Sequence, residues 1–142
     1  MTQSRVRGVV FDMYGTLVDV GAVAEACKEV APDPVAFNTQ WRSKQLEYTW
    51  TLTLAGHYMD FWRVTERALD YALALVSGAD KSVKSNLLDT YFKLDAFPDA
   101  RSALRALKSK RRKTGILSNG SPAMLKGAVE AAGIENDLDA VL

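Results

Sequence analysis

Apolar positions along this chain change period twice, and each change marks a new kind of element. Val6-Arg7-Gly8-Val9-Val10-Phe11 is a short run of strand-forming residues, the pattern of a parallel strand buried on both faces. Helical spacing then takes over. Residues 22–30 predict a short helix that Ala31-Pro32-Asp33-Pro34 breaks, because proline cannot continue a hydrogen-bonded turn, while Pro34 is suited to opening the next helix. From residue 35 to about 55, Phe37, Trp41, Tyr48, Leu52 and Ala55 recur at helical intervals, and Leu46, Trp50 and Leu54 make a second apolar surface. A helix apolar on two sides needs two partners, so the second surface packs either within its own domain or on another subunit.

Gly56 interrupts this pattern, which resumes over residues 58–76 through Phe61, Trp62, Ala68, Leu69, Ala72 and Leu75, with Gly78 expected to end the helix. Val83, Leu87, Leu88, Tyr91 and Phe92 predict another amphipathic helix over residues 82–94. The turn Phe97-Pro98-Asp99 starts a helix over 100–108, with Pro98 suited to its first turn. Strand chemistry then returns in Thr114-Gly115-Ile116-Leu117, which runs into Ser118-Asn119-Gly120. Ser121-Pro122 opens a helix over 123–132, Gly133 closes it, and residues 138–142 begin a further strand.

The order strand, helical insert, helix, strand, helix, strand predicts an α/β fold: a Rossmann-like parallel-sheet core, incomplete in this chain, carrying an all-helical cap after the first strand. The expected division is a core of residues 1–19 and 98–142 and a cap of residues 20–97, with the cap acting as a lid over the C-terminal rim of the sheet. Adjacent parallel strands place Asp12 and Ser118 side by side on that rim. No repeat or low-complexity tract breaks this layout.

Composition narrows the function classes. The 142 residues are 25% charged and 48% hydrophobic with a net charge of +1, which describes an ordinary folded domain without a global field for nucleic acid or an anionic membrane. One cysteine, Cys27, excludes an intramolecular disulfide and reads as a packing residue. No stretch is apolar enough to span a bilayer and no secretory leader precedes the first strand, so the expected location is cytoplasmic. The basic run over residues 108–113 reads as a solvated helix end drawn by the backbone dipole rather than as a nucleic-acid patch.

Two positions carry the candidate chemistry. Asp12 ends the first strand, where ligands bind in open α/β sheets, so it is either a nucleophile or metal ligand or the cap of the following turn. The helix opening at Ser121-Pro122 offers free amides and a positive dipole end which, with the Ser118 hydroxyl, suit a carboxylate, a phosphate or the charge of Asp12 itself. Ser118 lacks the glycine two residues earlier that a nucleophile elbow requires. His57, the single histidine, reads as a solvated side chain.

Three motifs together, Phe11-Asp12-Met13-Tyr14-Gly15-Thr16-Leu17, Trp41-Arg42-Ser43-Lys44-Gln45-Leu46-Glu47-Tyr48-Thr49-Trp50 and Ile116-Leu117-Ser118-Asn119-Gly120-Ser121-Pro122, resemble the type II L-2-haloacid dehalogenases of the haloacid dehalogenase-like hydrolase superfamily. The first and third mark the superfamily and the middle one the dehalogenases. The resemblance implies a hydrolase converting (S)-2-haloacids to (R)-2-hydroxyacids through an aspartyl ester on Asp12. It further implies that Arg42 receives the halide, that Thr16 and Ser118 orient Asp12 or the substrate carboxylate, that Asn119 lines the pocket, and that Tyr14, Leu46 and Phe61 wall it.

Position 14 separates this activity from that of the superfamily's phosphatases, which carry a second aspartate there. Tyr14, with a phenol pKa of about 10, is a poor general acid at neutral pH, and losing that carboxylate reduces the case for a metal. No metal or cofactor is expected, and the partners implied are a small 2-haloacid and, through the 41–55 helix, a second copy in a homodimer.

The resemblance departs from the family pattern at the C-terminus. The family's later lysine and acidic motif have no counterpart before Leu142, so the 142 residues are expected to be an N-terminal portion that is impaired alone, with an unpaired edge on the Asp12 strand. Lys113 and Gly115 also make the second strand less apolar than the family's usual version. Two alternatives remain open: a phosphatase-like hydrolase of the same superfamily, and a non-catalytic dimerisation or interaction module.

Overall fold

A computed structural model describes residues 6–76 and 81–142. In chain order its principal elements are β1 (Gly8–Phe11), α1 (Val23–Ala26), α2 (Pro34–Leu54), α3 (Phe61–Ala74), α4 (Lys84–Asp89), α5 (Ala100–Ser109), β2 (Lys113–Ile116), α6 (Pro122–Ala132) and β3 (Ala140–Val141), with single 3-10 turns at several helix ends. The chain forms two compact units, Met1–Val20 with Leu94–Leu142, and Gly21–Lys93.

The first unit is an α/β layer. Its three parallel strands lie in the order β1-β2-β3, with Gly8 opposite Lys113 and Phe11 opposite Ile116, then Gly115 opposite Ala140. The central strand is β2, whose Thr114, Gly115 and Ile116 are buried despite the weak strand propensity expected at Gly115. Position in the sheet outweighs propensity here. Helix α5 packs on β2, burying Ala100 and Leu104, and α6 buries Met124, Leu125, Ala128 and Val129. Among the described residues β1 is paired along one side only, and Val10 on it is 64% exposed.

Pairing accounts for the strand limits. Lys113 N–H donates to the Arg7 carbonyl (3.0 Å) and Leu117 N–H to that of Phe11 (2.9 Å), so the ladder between the two strands takes in Arg7 ahead of β1 and Leu117 beyond β2, whereas Val6 stays exposed. The last strand is shorter than the expected 138–142, although Asp139 N–H still reaches the Thr114 carbonyl (2.8 Å). The basic run is partly tied down: Lys108 donates to the Asn136 carbonyl, and Lys113 pairs with Asp139 (2.6 Å). Asp139 also accepts from Thr114 N–H (2.9 Å), and the Lys113 ammonium, then this amide, hold its carboxyl below the usual range.

The second unit is all helical, with α2 and α3 its main packed pair. Caps rather than the apolar pattern set the helix limits. Asp33 accepts from Ala36 N–H (2.9 Å) ahead of Pro34, and Asp60 accepts from Trp62 N–H (2.9 Å). Helix α3 therefore begins at Phe61 and not near residue 58, and Tyr58 is 92% exposed. Residues 22–30 form α1 flanked by 3-10 turns instead of one helix, because the Cys27 carbonyl accepts from both Val30 and Ala31 N–H (3.0 and 3.1 Å). The expected 82–94 helix is likewise α4 between two 3-10 turns. Gly78 lies outside the described residues. No helix among the described residues is long and apolar enough to cross a membrane.

Candidate active site

The rim of the sheet in the first unit holds one group of candidate side chains. Asp12 follows Phe11 directly, and a tight turn over residues 13–18 comes next, in which the Met13 carbonyl accepts from Thr16, Leu17 and Val18 N–H at 3.3, 2.9 and 3.1 Å. Gly15 in this turn has φ of 86°, a left-handed conformation that costs other residues steric energy. Gly15 N–H donates to the Val18 carbonyl (2.8 Å), closing the loop. Asp12 and Thr16 are exposed on this turn and Tyr14 is only 5% exposed.

Ser118 leaves β2 at the same end, two residues beyond Ile116, the partner of Phe11. Its Oγ accepts from Gly120 N–H (3.3 Å) and its own N–H donates to the Leu142 carbonyl (3.1 Å). The first bond uses a lone pair on Oγ and not its hydrogen, so the hydroxyl retains a donor for an anion at the rim. Asn119 is exposed beside it, and Ser121 caps α6 by accepting from Met124 N–H (3.4 Å).

Gly120 locks the two rim segments together. A Cβ at this position would lie 2.9 Å from Tyr14 Cε2 and 2.9 Å from Leu125 Cδ2. The Tyr14 ring therefore occupies space that only glycine leaves open, and it reads as packing beneath the rim as much as a pocket wall. A groove of about 580 Å³ runs from Gly120 along α6 to β3, and Asp12 is not among its lining residues.

The helical unit holds the remaining candidates. Arg42 and Leu46 stand four residues apart on α2, both half-buried, and Phe61 heads α3 at 8% exposure. Arg42 is held by a buried polar cluster: its Nη1 donates to Gln45 Oε1 (3.0 Å), which also accepts from the Tyr91 hydroxyl (3.3 Å). Gln45 Nε2 donates to Thr65 Oγ1 (2.7 Å), Thr65 Oγ1 donates to the Phe61 carbonyl (2.8 Å), and Trp41 Nε1 donates to the Thr65 carbonyl (3.0 Å). Burial pushes the Tyr91 phenol up to about 12 and the Cys27 thiol to about 11, leaving Cys27 a protonated packing group.

The family model for haloacid dehalogenase-like hydrolases matches residues 6–142. The chain belongs to this family. Within it, an (S)-2-haloacid dehalogenase from Pseudomonas sp. strain CBS-3 is 44% identical over 136 residues, 94% of this chain and 60% of that protein. One from Burkholderia cepacia is also 44% identical, over 96% of this chain and 60% of its own length. The solved L-2-haloacid dehalogenase of Xanthobacter autotrophicus with chloropropionic acid covalently bound superposes with a TM-score of 0.88 at 40% identity, covering 96% of this chain and 56% of that one. The chain thus spans about 60% of the length of the curated relatives it matches.

Among haloacid dehalogenase-like features, the motif carrying Arg42 also contains the residue that sequence reasoning passes over. Gln45 is fully buried, four residues after buried Trp41 on the face that carries Phe37. A single amide on an otherwise apolar stripe is the signal that points to it.

Proposed function

We propose that the protein carrying this chain is an (S)-2-haloacid dehalogenase that releases halide and an (R)-2-hydroxyacid, with Asp12 as nucleophile. What supports this reading most is the coincidence of two things: Asp12 ending a parallel strand beside the Ser118 strand end, and 44% identity to curated dehalogenases across nearly the whole chain. The relative solved with chloropropionic acid attached covalently supports an ester route. Tyr14, in place of an aspartate, removes the acid a phosphatase would need at that position.

In the first step an Asp12 carboxylate oxygen attacks the substrate's C2 opposite the halogen. The carbon–halogen bond breaks, halide leaves with its electron pair, and C2 inverts as the ester forms. Water then adds to the Asp12 carbonyl carbon, the bond between that carbon and the ester oxygen breaks, and the hydroxyacid departs. One water oxygen remains in Asp12. Nucleophile and substrate are both anionic, so Arg42 at the halide, the donors of Thr16 and Ser118, and the amides opening α6 offset their repulsion. Asn119 completes the polar lining, and Tyr14, Leu46 and Phe61 exclude water. This scheme needs no metal.

Asp12→Asn in the protein carrying this chain is expected to cut chloride release from (S)-2-chloropropionate by about a thousandfold or more. A single turnover of the unsubstituted protein in heavy-oxygen water should place the label in the Asp12 peptide. Unchanged turnover, or label only in the hydroxyacid, would sink the nucleophile assignment. The same reading places the enzyme in the cytoplasm as a homodimer, the latter supported by Trp50 and Leu54 being 64% and 88% exposed on α2.

A further inference from the structure

We propose that Gln45 is a positioning residue that holds the Arg42 guanidinium in its working orientation, an inference that rests on the reading of Arg42 as the group receiving halide. An arginine side chain has several rotatable bonds and loses substantial entropy when fixed, so a guanidinium that must meet a leaving anion needs a partner in place beforehand. In this structure that partner is the Gln45 amide oxygen at 3.0 Å from Arg42 Nη1.

The amide cannot turn over. Its nitrogen end donates to Thr65 Oγ1 (2.7 Å), and Thr65 spends its own hydrogen on the Phe61 carbonyl (2.8 Å), so Thr65 can only accept from Gln45. That chain of donors fixes which end of the amide faces Arg42. Tyr91 donates to the same oxygen (3.3 Å), and its ring meets that of Trp41 edge-on, with centroids 5.1 Å apart. Gln45, Thr65, Trp41 and Tyr91 are all essentially inaccessible to solvent, so the cluster has no water with which to exchange these bonds.

The choice of glutamine also has a chemical reason. A carboxylate at this position would hold the guanidinium equally well but cancel the positive charge that a halide needs. A neutral amide oxygen orients Arg42 and leaves its charge unspent. The consequence is specific to leaving-group departure: chloride, the poorer leaving group, depends more on the guanidinium than bromide does.

The test compares Gln45→Met and Tyr91→Phe in the full chain, with thermal midpoints recorded for each. Gln45→Met should lower kcat for 2-chloropropionate by about 30-fold but for 2-bromopropionate by only about 5-fold, with KM changed less than about threefold. Tyr91→Phe, which leaves the Arg42–Gln45 bond in place, should lower the midpoint while keeping the chloride-to-bromide ratio of the unsubstituted protein. A folded Gln45→Met with unaltered kinetics, or one losing both substrates equally, overturns the proposal. Nitrogen-15 spectra of the Arg42 side chain provide a readout independent of turnover: a sharp, slowly exchanging signal that broadens in Gln45→Met supports positioning, and an unchanged signal refutes it. If the unsubstituted protein releases no halide while this spectral change is seen, the dehalogenase reading fails and the positioning of Arg42 stands.

Discussion

Tyr91 shows how much a single buried side chain in the helical unit determines. Its phenol is raised to about 12, chiefly by burial, so between pH 10 and 12 the folded state holds a proton that the unfolded state has lost. The stabilisation is therefore complete below about pH 10 and is lost as pH rises toward 12, amounting to at most ~2–3 kcal/mol. Tyr91→Phe should lose less stability than the unsubstituted protein between pH 9.5 and 11.5, measured as urea midpoints by circular dichroism. At the other unit's rim, Gly120→Ala would push a methyl group against Tyr14 and Leu125, each 2.9 Å away. A cost of about 1–3 kcal/mol in denaturant unfolding is expected, and a stability unchanged within error would show that the Tyr14 ring moves freely. Asp12 and Ser118 were legible in the sequence because strand ends announce themselves through a switch from apolar to small polar residues. Gln45 was not, because a polar residue at helical spacing reads as surface until its neighbours are known.

Helix α2 carries the element-scale lesson. Its first half is buried through Phe37 and Trp41, as the apolar stripe indicated, and through Gln45, which that stripe did not include, whereas Trp50 and Leu54 on the second surface are exposed. Substituting Trp50 and Leu54 together by glutamate should leave helicity intact, since both are exposed, yet weaken self-association at least tenfold in sedimentation equilibrium. A protein that is monomeric before substitution would remove the homodimer from the proposed function. The limits of the helices were less readable than their existence. Asp60 stops α3 from reaching back to residue 58, and the doubly used Cys27 carbonyl tightens the chain after α1. Such local hydrogen bonds compete with propensity at element ends and leave little trace in hydrophobic periodicity.

For the whole molecule, the alternation of periods indicated a parallel sheet interrupted by helices, and the three-stranded order β1-β2-β3 agrees with it. The sheet was readable because its connections are helical, which parallel pairing requires. What the periodicity did not announce is how the chain leaves and re-enters the first unit. Asp19 N–H donates to the Asp95 carbonyl (3.0 Å), and Phe97 N–H to the Leu17 carbonyl (2.9 Å). Exit and return are thus stitched side by side, and 75 intervening positions hang from a two-rung clasp. Evolution or an engineer can exchange whatever hangs there for another module with neighbouring ends, and the strands bearing Asp12 and Ser118 need not shift by a single residue.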